Sequence, residues 1–266
     1  DDPNGENGTC GSSSVVTANP GSQTISLTGG SLKALTSCTV SVSLVSSQVG
    51  VLVNNTGPVG SSAGSSTSGD TESLTVLPPP TVTVSGMKNH ARYAYGAVIK
   101  PKFSCAQAGD PSALSDCSSA DDLGNDISSG GSLKTRTPGR HSLAVTATSS
   151  DGLSTTDTIN YTVLPDNRIT LAAVKPAASG ALGLRVSLPG PGKLTVLELA
   201  GHKLTAGRYS VRVAHKRSLR LNVKPTPAGA ALLAGGSAKV TVRVIFTPKN
   251  GVERTVTRHG VVLSSG

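Results

Sequence analysis

Leu74-Thr75-Val76-Leu77-Pro78 and Tyr161-Thr162-Val163-Leu164-Pro165 end almost identically, and the matching leucines lie 87 residues apart. Each is a β-branched run that alternates like a strand and stops at proline. Proline has no amide hydrogen to give to a ladder, so it ends the strand and stiffens the exit. Recurrence of such a terminator at the length of one small β-sandwich predicts serial all-β modules. The expected boundaries fall near Pro78-Pro79-Pro80 and Pro165-Asp166, dividing the 266 residues into 1–79, 80–165 and 166–266.

The expected fold is all-β: three serial immunoglobulin-like β-sandwiches, the first one incomplete. Modules of roughly 80–100 residues suit that architecture. With two Phe, four Tyr and no Trp, the cores must be built from Val, Leu, Ile and Ala. These bury less area per side chain than aromatics do. Period-2 alternation supplies the strands. In the first module the inward sets are Ile25 and Leu27; Cys38, Val40, Val42 and Leu44; Val49, Val51 and Val53; and Leu74 and Val76. Residues Gly57 to Asp70 are Gly/Ser/Thr-rich and read as a long mobile loop. In the second module Leu143, Val145 and Ala147 run into an Asp151-Gly152 turn and return through Ile159, Tyr161 and Val163. The third alternates Leu184, Val186, Leu188; Leu194, Val196; Tyr209, Val211, Val213; Leu219, Leu221, Val223; and Val240, Val242, Val244, Phe246. Asn250-Gly251 reads as a hairpin turn whose two residues both tolerate positive φ. Only Ala228 to Leu233 reads as helix.

Cys10 and Cys38 lie in the first module, Cys105 and Cys117 in the second. An even count without CxxC spacing or a nearby histidine set points to disulfides rather than zinc, with pairing inside each module. That implies an oxidising, extracellular or cell-surface location. The chain opens in Asp1-Asp2-Pro3-Asn4-Gly5 with no leader and has no apolar run of membrane-spanning length. An export signal is therefore expected upstream, in a longer precursor.

The formal charge of +9 is unevenly spread. Residues 1–165 hold 8 Lys/Arg against 12 Asp/Glu, and residues 166–266 hold 16 against 3. The cationic last module suggests an anionic partner such as a wall polymer, with Lys203, Arg208, Arg212, Lys216, Arg217 and Arg220 as the contact candidates. A solvated basic strand face is the simpler reading of the same charges. Without stacking aromatics beside the cations, sequence-specific nucleic-acid recognition is not expected. Another surface protein is the other partner considered, and the segment is expected to be monomeric.

Other chemistry is sparse. Asp121, Asp122, Asn125 and Asp126 offer oxygen ligands of the kind calcium takes, without the regular alternate-residue frame. Gly60-Ser61-Ser62-Ala63-Gly64 fits GxSxG, but that motif works on a strand-to-helix elbow and here lies in a Ser/Gly stretch. The histidines 90, 141, 202, 215 and 259 are dispersed. No catalytic residues, resident metal or cofactor are expected. Asn7, Asn54 and Asn160 head glycosylation sequons.

Three resemblances accompany this reading. Gly8-Thr9-Cys10-Gly11, Ile25-Ser26-Leu27-Thr28-Gly29-Gly30, Thr36-Ser37-Cys38-Thr39-Val40 and Asn54-Asn55-Thr56-Gly57 resemble the second half of a repeat module of secreted bacterial surface proteins. Tyr95-Gly96, Phe103-Ser104-Cys105, Ser115-Asp116-Cys117, Pro138-Gly139-Arg140-His141 and Val145-Thr146-Ala147-Thr148 resemble immunoglobulin-like repeats related to polycystic-kidney-disease and hyalin-repeat domains. Val186-Ser187-Leu188-Pro189-Gly190-Pro191-Gly192 and Ala206-Gly207-Arg208-Tyr209 resemble basic, Val-rich domains that end actinobacterial surface proteins. The resemblances imply fold and location, not activity; the expected role is a non-catalytic stalk or adhesion segment of an exported surface protein. An accessory binding module of a secreted hydrolase and a polyanion- or cell-wall-binding C-terminal domain are the alternatives.

Overall fold

A computed structural model describes residues 7–44, 46–201 and 204–264. The chain divides into two compact units, Asp1–Pro78 and Pro79–Gly266. The fold is all-β, with one short α-helix among the described residues.

Among the described residues of the first unit eight short strands pair two by two: β1 (Asn7–Gly8) with β4 (Val40–Ser41), β2 (Val15–Thr17) with β3 (Ser26–Thr28), β5 (Gly50–Asn55) with β8 (Thr71–Val76), and β6 (Gly60–Ser61) with β7 (Gly64–Ser65). All four pairs are antiparallel. Cys10 is bonded to Cys38 beside the β1–β4 pair, and Cys10 and Ala18 are the buried apolar residues described there. The expected inward face of β5 points the other way: Val51 and Val53 are each 63% exposed, whereas Gly50 and Leu52 are half-buried. Ile25, Leu27, Leu44, Val49 and Leu74 are exposed as well. The alternation is real, but a two-stranded ribbon has no second layer to cover its apolar side. Gly57 to Asp70 is also not a plain loop. It carries the β6–β7 hairpin and is pinched at its base, where the Thr56 hydroxyl accepts from the Asp70 amide at 2.8 Å and the Thr56 amide donates to the Asp70 carbonyl at 2.9 Å. Gly69 allows this closure, because a Cβ there would fall 1.4 Å from the Thr56 carbonyl oxygen.

The second unit contains two separate apolar cores. Its first sandwich comprises β9 (Thr81–Ser85), β10 (Ala91–Tyr93), β11 (Lys102–Ala106), β12 (Leu114–Asp121), β13 (Gly139–Ser149) and β14 (Ser154–Val163). One layer has the order β10-β14-β13-β12, with β10 parallel to β14, and the other is β11-β9. The long β13–β14 hairpin turns at Ser150–Leu153, and Leu143, Val145, Tyr161 and Val163 face the core. Ile99, Ile127 and Leu133 fill it from the connections, while Val98 is 77% exposed. Cys105 on β11 is bonded to Cys117 on β12, so this bridge ties one layer to the other.

The second sandwich comprises β15 (Thr170–Pro176), β16 (Leu182–Leu188), β17 (Gly192–Ala200), β18 (Leu204–Val213), β19 (Arg217–Val223), α1 (Pro227–Ala234), β20 (Ser237–Pro248) and β21 (Arg254–Ser264). Its layers are β15-β16-β19 and β18-β17-β20-β21. Leu182, Val186, Leu194, Val196, Val223, Val242, Val244 and Phe246 are fully buried between them. The helix starts where the Thr226 hydroxyl accepts from the Gly229 amide, with Pro227 in the first turn, where its missing N–H has no partner to lose. In the β20–β21 turn only Asn250 takes positive φ, at 63°. Gly251 serves by close approach, since a Cβ there would meet Pro248 at 2.9 Å.

The connection between these sandwiches is tied on both sides. The Leu164 amide donates to the Tyr93 carbonyl at 2.8 Å, and the Asn167 amide side chain donates to the Val252 carbonyl at 3.0 Å. Arg168 grips Asp166 with two bonds of 2.9 Å and lies over the Tyr95 ring, 4.9 Å from its centroid. Such a cation–π contact attaches the last module's first residues to the preceding sandwich. The Arg168 guanidinium, chiefly by hydrogen bonding, holds the Asp166 carboxyl below its ordinary range.

Candidate anion-contacting faces

Strand alternation decides where the basic side chains point. On β18, Tyr209, Val211 and Val213 turn toward the core, so Arg208, Ser210 and Arg212 project outward. On β19, Leu219, Leu221 and Val223 turn inward and Arg220 projects outward. These strands belong to different layers. Arg208 and Arg212 therefore lie on the outer face of the four-stranded sheet, and Arg220 lies on the opposite side of the sandwich, directly across from Arg185. Exposed Lys216 and Arg217 sit at the corner between the layers. Lys203 lies outside the described residues. The five described candidates thus do not form one patch.

The register adds cations that a strand-by-strand reading leaves out of the contact set. Lys193 stands directly opposite Arg212, and Leu197 is flanked by Arg208 on β18 and Arg243 on β20. Lys239 lies on the same outward side of β20, exposed. Only the pairing of β17 with both neighbours brings these residues together.

The inward side of β17 holds a surprise. After Leu194 and Val196 the next core position is Glu198, whose side chain is 0% exposed. Neither carboxyl oxygen has a hydrogen-bond partner. Its cross-strand neighbours are Gly207 and Val242, and a Cβ on Gly207 would fall 2.2 Å from Glu198 Oε2. Burial penalises the charged form and pushes this carboxyl up to about 7.

The acidic turn after β12 is internally bonded rather than an open cage for calcium. Asp121 is buried, and its Oδ1 accepts from the amides of Leu123 and Asn125 at 3.0 and 2.8 Å. The Asn125 side chain donates to both Asp121 oxygens, and the Asn125 Oδ1 accepts from Lys134. Asp122 turns instead to His141 Nδ1 at 2.9 Å, while His141 Nε2 faces the Thr137 carbonyl at 2.8 Å. Asp126 is exposed beside an isolated bridge to Ala120. Among the described residues no group of three or more His, Cys, Asp or Glu is gathered for a metal. Oxygens already supplied with amide donors form an Asx-type turn, which accounts for the residue types without a cation. Burial first, then the charges of Asp122 and Asp121, push the neighbouring Tyr161 phenol up to about 12.

The GxSxG stretch forms the β6–β7 hairpin, with Ser62 and Ala63 at its tip. A hairpin tip lacks the strained strand-to-helix elbow that exposes a nucleophile. His141 is committed to Asp122 and Thr137, and His259 Nδ1 lies 3.3 Å from Thr241 Oγ1. His90 adopts a positive φ of 61°, His215 is exposed in the β18–β19 turn, and His202 lies outside the described residues.

Residues 1–76 match the family described as "Domain of unknown function (DUF7933)". No curated protein matches the chain. Among solved structures the chain is similar to dimeric latent PorU from Porphyromonas gingivalis (9% identity, 70% of this chain and 20% of that one, TM-score 0.27). It is also similar to the fibronectin(III)-like modules of CbhA from Clostridium thermocellum (14% identity, 68% and 94%, TM-score 0.26). A third is a calcium-stabilised adhesin with which an Antarctic bacterium binds ice (14% identity, 77% and 54%, TM-score 0.24). The chain thus spans a fifth of the first of these proteins and about half of the third. None of these likenesses assigns a role to a residue of this chain.

Proposed function

We propose that this chain is a non-catalytic spacer, a stalk segment of an exported bacterial surface protein of the actinobacterial type that its basic last module resembles. The observation that carries this reading is the tied joint at Leu164–Arg168, where backbone, amide and cation–π contacts from both neighbours hold the connection between two sandwiches. A connection meant for free reorientation would leave its polar groups to solvent. The two disulfides support an oxidising location and brace modules whose cores lack tryptophan.

Display of the chain at a cell surface, carrying a terminal epitope, tests the role. A large antibody should reach the epitope on the full chain and lose access when residues 79–266 are deleted. An unrelated two-sandwich insert of equal length should restore access. Undiminished access after deletion contradicts the spacer role, and failure of the unrelated insert shows that specific contacts matter more than length.

A further inference from the structure

The outer face of the β18-β17-β20 layer carries two rows with cations and, between them, a row with two hydroxyls, interrupted by Leu197 and Ile245. Across the three strands one row reads Arg212, Lys193, Thr247; the next reads Ser210, Thr195, Ile245; the third reads Arg208, Leu197, Arg243. Rows lie about 7 Å apart and neighbouring strands about 5 Å apart. Lys193 and Arg212 face each other directly, an arrangement that like charges disfavour in an isolated sheet. Among the described residues no acid pairs with them. Residues 166–266 contain three carboxylate side chains. Asp166 is bound to Arg168, Glu198 faces the core, and Glu253 lies in the turn between β20 and β21. The described ion pairs, His141–Asp122 and Arg168–Asp166, both lie elsewhere.

We propose that this face is a docking surface for a linear polymer of phosphodiester groups without bases, of the polyol-phosphate class. Three features select that chemistry. Repeated cations require repeated anions. A tetrahedral phosphate presents oxygens in several directions, so one group can meet a lysine, an opposing arginine and a nearby hydroxyl such as Ser210 or Thr195 together. A guanidinium fork fits carboxylate and phosphate alike, but the free oxygens of a tetrahedral phosphodiester lie out of the plane of its chain bonds and stay open to a second cation across the strand. No aromatic projects from these rows, since Tyr209 and Phe246 turn inward, so neither a base nor a sugar ring finds a stacking partner. This surface goes beyond the spacer reading and does not depend on it.

Binding of purified poly(glycerol phosphate) to the full chain, measured by calorimetry at 50 and 200 mM salt, tests the proposal. With about five contacts, affinity should fall about a hundredfold between these salts. The triple variant Lys193→Gln/Arg212→Gln/Arg243→Gln should lose at least about tenfold at low salt and shed about two units of salt slope. The control Lys175→Gln/Arg185→Gln/Arg220→Gln removes the same charge from the opposite face and should stay within about threefold of wild type. Melting temperatures verify folding, and the single variant Arg243→Gln, with a smaller loss in the same direction, replaces the triple if that one is unfolded. Equal losses in the two triples would overturn the assigned face, because binding would then follow net charge alone. So would an absence of wild-type binding at 50 mM salt, or tighter binding of oligothymidylate or polygalacturonate of matched charge. None of these results bears on epitope access, so failure here leaves the spacer role standing.

Discussion

A carboxyl group flanked across the sheet by Gly207 and Val242, cut off from solvent and without a donor, is easiest to bury in its neutral form. Glu198 is held up to about 7 from an ordinary 4.5, so folding retains a proton that the unfolded chain releases above about pH 4.5. The folded state therefore binds more protons than the unfolded one between those values. Stability from this source is complete below about pH 4.5, falls as pH rises to about 7, and is level beyond. The loss amounts to about 3 kcal/mol. Urea denaturation at pH 5 and pH 8 should show it in the wild-type chain, and Glu198→Gln should flatten the profile. Equal wild-type stability at both pH values would exclude a neutral buried carboxyl. Glu198 was hidden from sequence reading because alternation is scored by apolar residues, and β17 shows only Leu194 and Val196 before the pattern breaks. Its glycine neighbour becomes visible only when β17 and β18 are set in register.

Single strands were legible where two layers meet over them. Leu143, Val145 and Ala147 alternate in sequence and are all buried, as are Val240, Val242, Val244 and Phe246. In the first unit the same alternation is present, yet Val51 and Val53 face solvent, because periodicity records which side is apolar and not whether anything covers it. The acidic turn was ambiguous for a related reason: Asp and Asn are common both to cation loops and to turns that satisfy their own amides, and the partners of Asp121 are those of the second kind. Disulfide pairing was readable from module membership, although its role as a tie between layers was not. Cys105–Cys117 joins β11 to β12, and closing a 12-residue separation restricts the unfolded chain. Cys105→Ala/Cys117→Ala should lower the stability of that sandwich by about 2–4 kcal/mol, measured by denaturant melts. A change below about 0.5 kcal/mol would mean that the layers are held by the Leu143–Tyr161 core alone.

At the scale of the whole second unit, two cores sit on either side of a five-residue connection, Leu164 to Arg168, that leaves little slack. Its proline was legible in sequence and its partners were not, because Tyr93, Tyr95 and Val252 are remote along the chain. The proposed spacer role requires this joint to be stiff, as its contacts to both sandwiches would make it. Asn167→Ala/Arg168→Ala should uncouple them without unfolding either one, since neither side chain enters a core. The decisive measurement is backbone 15N relaxation of the full wild-type chain. The amides of β13 and β14 and those of β17 and β20 should report one shared rotational correlation time, which the double variant splits in two. Separate, faster tumbling of the two sandwiches in the wild-type chain would contradict the account.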